Sequence, residues 1–346
     1  MSPYAMSMLL SSLSTGTIIT LTSMHWFLAW IGLEINTLAM VPLMSKMQHP
    51  RATEAATKYF LTQASASALL MFAAATNAWY TGEWTIMNMQ TTTPSLMLMI
   101  ALMIKLAVAP FHMWLPDVIQ GLDLMTCLIL STWQKLAPFA LLIQVYPELN
   151  STLMTLMGML SIIVGGWGGL NQPQIRKMMA YSSIAHLGWM IIVITYSNSL
   201  MMLNLLIYLI MTSSMFLMAM NLTSTNINKA AISWTKNLPL MSTMMIVLMA
   251  LGGLPPTSGF LPKWLILEEI VKQNMTLIAT IAALSTMLSL FFYLRLSYTI
   301  SLTTSPTTTN SKMMWRLKMN TDKVVPTTII MSTMLLPLTP TILNLF

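Results

Sequence analysis

Residues 251–265 read LGGLPPTSGFLPKWL. They stand inside an apolar run from about Leu238 to Ile270, long enough to cross a bilayer, yet too rich in glycine and proline to remain regular helix. A second stretch of this kind, KLAVAPFHMWLP at residues 105–116, interrupts the run from Ser95 to Trp114. Pro110 marks the first break, and Pro255, Pro256 and Gly259 mark the second. Broken backbone at membrane depth survives only where protein or a water-filled cavity satisfies its N–H and C=O groups. Transporters place such breaks at equivalent positions of two internal repeats. Each break lies beside a lysine, Lys105 before the first and Lys263 after the second.

The rest of the chain agrees with a membrane setting. Of 346 residues, 56% are hydrophobic and 7% charged, with a mean hydropathy of +0.71, where a soluble domain carries roughly a quarter charged residues. Other apolar runs cover about Tyr4 to Thr22, Met24 to Met44, Thr57 to Trp79, Leu124 to Tyr146, Ser151 to Gly169, Met178 to Tyr196, Leu200 to Met220, Met275 to Ser297 and Val324 to Leu343. With the two broken runs they predict an all-α polytopic protein of about eleven transmembrane helices. The breaks fall five helices apart, which predicts one antiporter-like membrane domain over 1–346. It would hold a first five-helix repeat at about 1–146, an inverted second repeat at 151–297 and a final helix at 324–343.

The formal net charge of +7 is spread singly or in short pairs between apolar runs and forms no basic stripe, so topology explains it better than nucleic-acid binding. With the N-terminus on the basic side, Lys46, Arg51, Lys58, Arg176, Lys177, Lys229, Lys236, Arg295, Lys312, Arg316, Lys318 and Lys323 share that side. Only Lys272 lies opposite, and the C-terminus with it. The first residues hold neither the basic region of a signal peptide nor the arginine-rich pattern of a transit peptide, so no removable leader is expected. Abundant Met (38) and Thr with little Arg is the bias expected of a protein made inside an animal mitochondrion.

Glu34, Lys105, Lys135 and Lys263 lie well inside predicted spans. An ionisable group there costs about 2.5 to 3.5 kcal/mol on insertion scales, so such residues line a pathway or pair with one another. A static Glu34–Lys105 ion pair is one reading. It leaves Lys135 and Lys263 without a second buried acid, and a lysine poised between its charged and neutral forms can accept and release a proton. His112, after the first break, and His186, in AYSSIAHLGW, could support such a path or serve as packing histidines. His25, at a helix start, and His49, in a basic loop, are expected to be interfacial or solvated. Four scattered histidines offer no paired haem ligands, and a single cysteine, Cys127, provides neither a disulfide nor an iron–sulfur site. No metal or cofactor is expected on this chain. GGWGGL at 165–170 lacks the strand-turn-helix context of a nucleotide site and reads as close helix packing.

Several stretches carry a resemblance along nearly the whole chain. They are WIGLEINTLAMVPL around Glu34, RATEAATKYFLTQASAS, KLAVAPFHMWLPDVIQG at Lys105, TWQKLAPFALL at Lys135, GGLNQPQIRKMMAYSSIAHLGW, and LGGLPPTSGFLPKWLILEE at Lys263. They resemble the antiporter-like subunit family and, within it, the subunit 2 branch of mitochondrial NADH:ubiquinone oxidoreductase, respiratory complex I. The resemblance implies two inverted five-helix repeats, in the shorter animal form. It implies a core membrane subunit of an H+-translocating enzyme, with Glu34, Lys105, Lys135 and Lys263 carrying the proton and no redox chemistry on this chain. FMN, iron–sulfur clusters and ubiquinone would belong to the rest of the complex. The implied partners are other complex I subunits, especially antiporter-like subunit 4 and small membrane subunits 4L and 6, with phospholipids including cardiolipin. The implied location is the mitochondrial inner membrane, N-terminus in the matrix and C-terminus in the intermembrane space. A stand-alone cation/proton antiporter and a structural subunit with a static Glu–Lys pair remain the alternatives.

Overall fold

The computed structural model describes residues 2–89, 91–303 and 323–343, together with 306, 309, 313 and 316. Lys312 and Lys318 lie outside the described residues. Every regular element among those described is helical: α1 Pro3–Thr22, α2 Trp26–Met44, α3 Pro50–Thr81, α4 Thr92–Leu106, α5 Trp114–Gly121, α6 Leu124–Ser131, α7 Trp133–Val145, α8 Ser151–Gly168, α9 Ile175–Ile194, α10 Asn198–Leu222, α11 Ile227–Ile232, α12 Leu238–Gly252, α13 Phe260–Lys272, α14 Thr276–Leu302, α15 Val324–Met334 and α16 Thr339–Leu343. Eight helical segments are long and apolar enough to cross a membrane. A ninth candidate is the pair Val324–Met334 and Leu336–Leu343, bent by 68°. Thr92–Leu106 and Leu238–Gly252 are apolar but shorter, because each stops at a break.

The chain divides into two compact units, Met1–Ser161 and Ile162–Phe346. In the first, α1 and α2 pack backbone to backbone. A Cβ on Gly16 would lie 2.9 Å from the Gly32 carbonyl, and one on Gly32 2.8 Å from the Gly16 carbonyl, so only glycine permits the approach. α3 starts at Pro50, with His49 as N-cap accepting from the Arg51 amide, and ends at Gly82 in the left-handed region. It packs along α2, α4 and α5.

The run from Leu124 to Tyr146 is divided at Thr132, whose amide and hydroxyl both bond the Leu128 carbonyl. At the sixth residue of α7, Pro138 has no N–H for the Gln134 carbonyl and its ring crowds it. The segment around Lys135 is therefore less regular than an apolar run suggests.

In the second unit α9 is the most enclosed helix, with 89% of its apolar window buried, and it packs against α10, α13 and α14. The glycines of GGWGGL provide close approach. A Cβ at Gly165 would meet Ala185 of α9, and one at Gly169 would meet the Phe292 ring of α14. Arg295 donates to the Leu170 carbonyl at 2.8 Å, and Trp234 to that of Ile300 at 2.7 Å.

Candidate functional site

Lys105 occupies the last turn of α4, just before Ala107 turns left-handed at φ 62°. It is 7% exposed, and its Nζ finds no hydrogen-bond partner among the described residues. Lys135, on α7 just after the Thr132 discontinuity, is 5% exposed. The two lysines line one cavity together with Asn36, Thr37, Tyr59, Gln63, Trp114 and Gln134. The cavity offers about 20 Å3 to a water-sized sphere, enough for a single water of roughly 10–15 Å3 on this measure. Both side-chain polar atoms of Asn36, and Nε2 of Gln63 and Gln134, also lack partners. Buried polar groups are normally hydrogen-bonded, so their convergence on one small cavity marks it as a polar site.

Glu34 is on α2, half-buried, and its Oε2 accepts from the Thr37 hydroxyl at 3.3 Å. Among the described residues neither Glu34 nor Lys105 enters an ion pair within 4.0 Å. His112 lies in the break between α4 and α5, 5% exposed, with Nδ1 unpartnered. Trp114 donates from Nε1 to the Ile104 carbonyl at 3.1 Å, fastening α5 to the turn that carries Lys105.

The other two candidates belong to the second unit. Lys263, in the first turn of α13, donates from Nζ to the Gly252 carbonyl at 2.9 Å, at the end of α12. A cation at the carbonyl end of a helix is electrostatically favoured. The opening between the two half-helices is also fastened by the Ser258 hydroxyl, which donates to the Ser332 carbonyl of α15. His186, on α9 and 5% exposed, packs against the Tyr208 ring of α10 at 5.6 Å. Among the described residues no three His, Cys, Asp or Glu side chains come together as a metal site.

Sequence reasoning passed over Asn36, Gln63 and Gln134. The signal that exposes a buried lysine, a polar group within an apolar span, applies to them too. Asn36 lies two residues after Glu34, and Gln134 immediately before Lys135.

Comparisons with known proteins agree from end to end. The family described as "NADH:quinone oxidoreductase/Mrp antiporter, TM" matches residues 23–289, and that described as "NADH dehydrogenase subunit 2 C-terminus" matches 290–343. The chain is 57% identical to NADH-ubiquinone oxidoreductase chain 2 of Latimeria chalumnae, over 99% of this chain and 98% of that protein. It is 56% identical to the Salmo salar protein of the same name, over 100% and 99%. Among solved structures, a chain of respiratory complex I from Thermus thermophilus with bound aureothin superposes with a TM-score of 0.86 at 25% identity, covering 99% of this chain and 80% of that one.

Proposed function

Because the chain belongs to the antiporter-like family of NADH-ubiquinone oxidoreductase chain 2, a membrane-arm subunit of the proton-translocating NADH:ubiquinone oxidoreductase, we propose that Glu34, Lys105, Lys135 and Lys263 carry its protons. The observation that carries this reading is the small polar cavity shared by Lys105 and Lys135. The Lys105 ammonium, which among the described residues has no carboxylate within ion-pair distance, is costly to keep charged. A second lysine on the same cavity gives that proton an acceptor within the span. Asn36, Gln63 and Gln134 provide donors and acceptors that can stabilise either protonation state.

Glu34 is the control point of this mechanism. In this reading a carboxylate that approaches Lys105 keeps the lysine protonated, and withdrawal or neutralisation of that carboxylate releases the proton. The carboxylate is only half-buried, so it is accessible to a neighbouring subunit. Electron transfer elsewhere in the complex would act through such a neighbour. Coupling requires that protonation at one site alter affinity at the next. His112 and His186 support the path. FMN, iron–sulfur clusters and ubiquinone reside in this reading on other subunits.

As a complex I subunit the chain has the other subunits as partners, and it is a multi-pass protein of the mitochondrial inner membrane. Finer placement rests on charge. The one-sided loop lysines and arginines support an N-terminus in the matrix and a C-terminus in the intermembrane space. Antiporter-like subunit 4, small subunits 4L and 6, and cardiolipin are the proposed neighbours.

The test is Lys105→Met in the assembled complex, followed by protons moved per electron. A fall in pumping with assembly intact is expected, and normal stoichiometry sinks the role. Replacing Glu34 and Lys105 together by apolar residues separates this reading from a static pair, since a purely structural pair leaves turnover intact.

A further inference from the structure

We propose that the charged cleft between the start of α3 and the end of α5 is a proton-loading mouth, with Asp117 as the group that takes up the proton. The inference rests on the proton-carrier reading above. The cleft, about 200 Å3, is lined by Arg51, Glu54, Lys58, Asp117 and Gln120. Lys58 bridges its two carboxylates, at 2.8 Å from Glu54 and 3.4 Å from Asp117. All three side chains are about half-exposed.

The same two helices lead inward. Tyr59 follows Lys58 on α3 and is 2% exposed, and Trp114 lies one turn before Asp117 on α5. Their rings pack at 5.9 Å, and both line the cavity that holds Lys105 and Lys135. Gln63, one turn further along α3, lines that cavity, and its Nε2 has no partner among the described residues. The junction is tight, for a Cβ on Gly121 would lie 2.6 Å from the Arg51 carbonyl and 2.8 Å from Ala55. Charged cleft, aromatic pair and buried cavity thus succeed one another along one helix–helix seam.

The step balances simply. The Asp117 carboxylate takes a proton from water and becomes a carboxylic acid while Lys58 stays bonded to Glu54. It then releases the proton inward, where the Tyr59 hydroxyl can accept one proton and give up another, and returns to carboxylate. The charged groups facing Asp117 from α3 are Arg51, Glu54 and Lys58.

The test uses the assembled complex in sealed membranes, with turnover and pumping followed between about pH 6 and pH 8.5. Asp117→Asn keeps the shape and an oxygen for Lys58. It should run within about twofold of the parent at low pH and on the order of tenfold slower at high pH, where proton supply limits. Asp117→Glu should restore the parent profile. A profile parallel to the parent, or an equal loss at every pH, overturns the mouth. If the Asn variant fails to assemble, Lys58→Met reads the same site. Removing the cation that bridges Glu54 and Asp117 must displace the alkaline limb, and an unmoved limb overturns the proposal. Lys105→Met, run alongside, separates the two readings. Its loss of pumping beside a parallel Asp117→Asn profile refutes the mouth alone, whereas its normal pumping refutes the carrier assignment beneath it.

Discussion

In the first break α4 stops at Leu106 with Ala107 left-handed at φ 62°, and in the second α12 stops at Gly252 with Gly253 left-handed at φ 80°. Each helix has 15 residues, and each ends with the same crossed pair of bonds. Ala107 and Val108 bond the Ile104 and Met103 carbonyls, as Gly253 and Leu254 bond those of Ala250 and Met249. The backbones correspond, and the lysines do not. Lys105 precedes its break and keeps an unpartnered ammonium, whereas Lys263 follows its break and reaches back to the Gly252 carbonyl. That reach explains the residue choice at the turn. A Cβ on Gly253 would lie 2.9 Å from Lys263 Nζ and 3.0 Å from its Cδ. Ala107 holds the equivalent left-handed turn with a side chain in place.

The largest contrast is expected at the far end of each break. A Cβ on Gly259 would fall on the Ala250 carbonyl and lie 3.2 Å from Met211 Sδ, while the residue just before α5, Met113, is 69% exposed. Gly259→Ala must push one half-helix off the other and should cost about 3 kcal/mol or more. Met113→Ala should stay within about 0.5 kcal/mol. Thermal dissociation of the assembled complex measures both, and equal midpoints would erase the asymmetry.

The lysines themselves come next. Lys263→Met removes a charge-assisted bond and leaves the Gly252 carbonyl open, a loss of about 1.5–3 kcal/mol. Lys105→Met removes a cation with no bond to lose and so should leave the complex as stable or more stable, while abolishing pumping. A destabilised Lys105→Met complex would mean that Lys105 has a structural partner after all. Gly253→Ala should follow, at about 1–2 kcal/mol for a left-handed alanine, with Lys263 displaced. Combined with Lys263→Met, its cost should fall, because the side chain it collides with is shorter.

Much of this was legible in the chain, for definite reasons. Apolar runs identify the helices because lipid leaves the backbone no other partner. Glycines and prolines at 252–259 and Pro110 identify the breaks because no regular helix accommodates them. Buried ions identify themselves by their cost. What escaped depends on contacts distant in sequence or on choices a helix makes locally. Asn36, Gln63 and Gln134 come from three helices, and only folding brings them to the cavity of Lys105 and Lys135. At the Thr132 discontinuity the hydroxyl turns onto the Leu128 carbonyl, a bond many mid-helix threonines make without interrupting the helix, so the residue type does not announce the break. That Lys263 would cap α12 required the chain to double back.

The smallest expected effect bears most directly on why the two turns differ. Ala107 holds φ 62° without glycine, at about 1–2 kcal/mol for an L-residue in the left-handed region. Ala107→Gly removes that cost but loosens the unfolded chain by about 0.4–1 kcal/mol. The net should be a stabilisation of about 0.5 kcal/mol, with pumping unchanged because Lys105 keeps its turn. A larger gain would mean the first break stores more strain than its hydrogen bonds suggest. A loss would mean that the alanine methyl, on a residue fully buried in the structure, contributes packing that outweighs its backbone. In that case the difference between the breaks would lie in what surrounds each turn and not in which lysine folds back upon it.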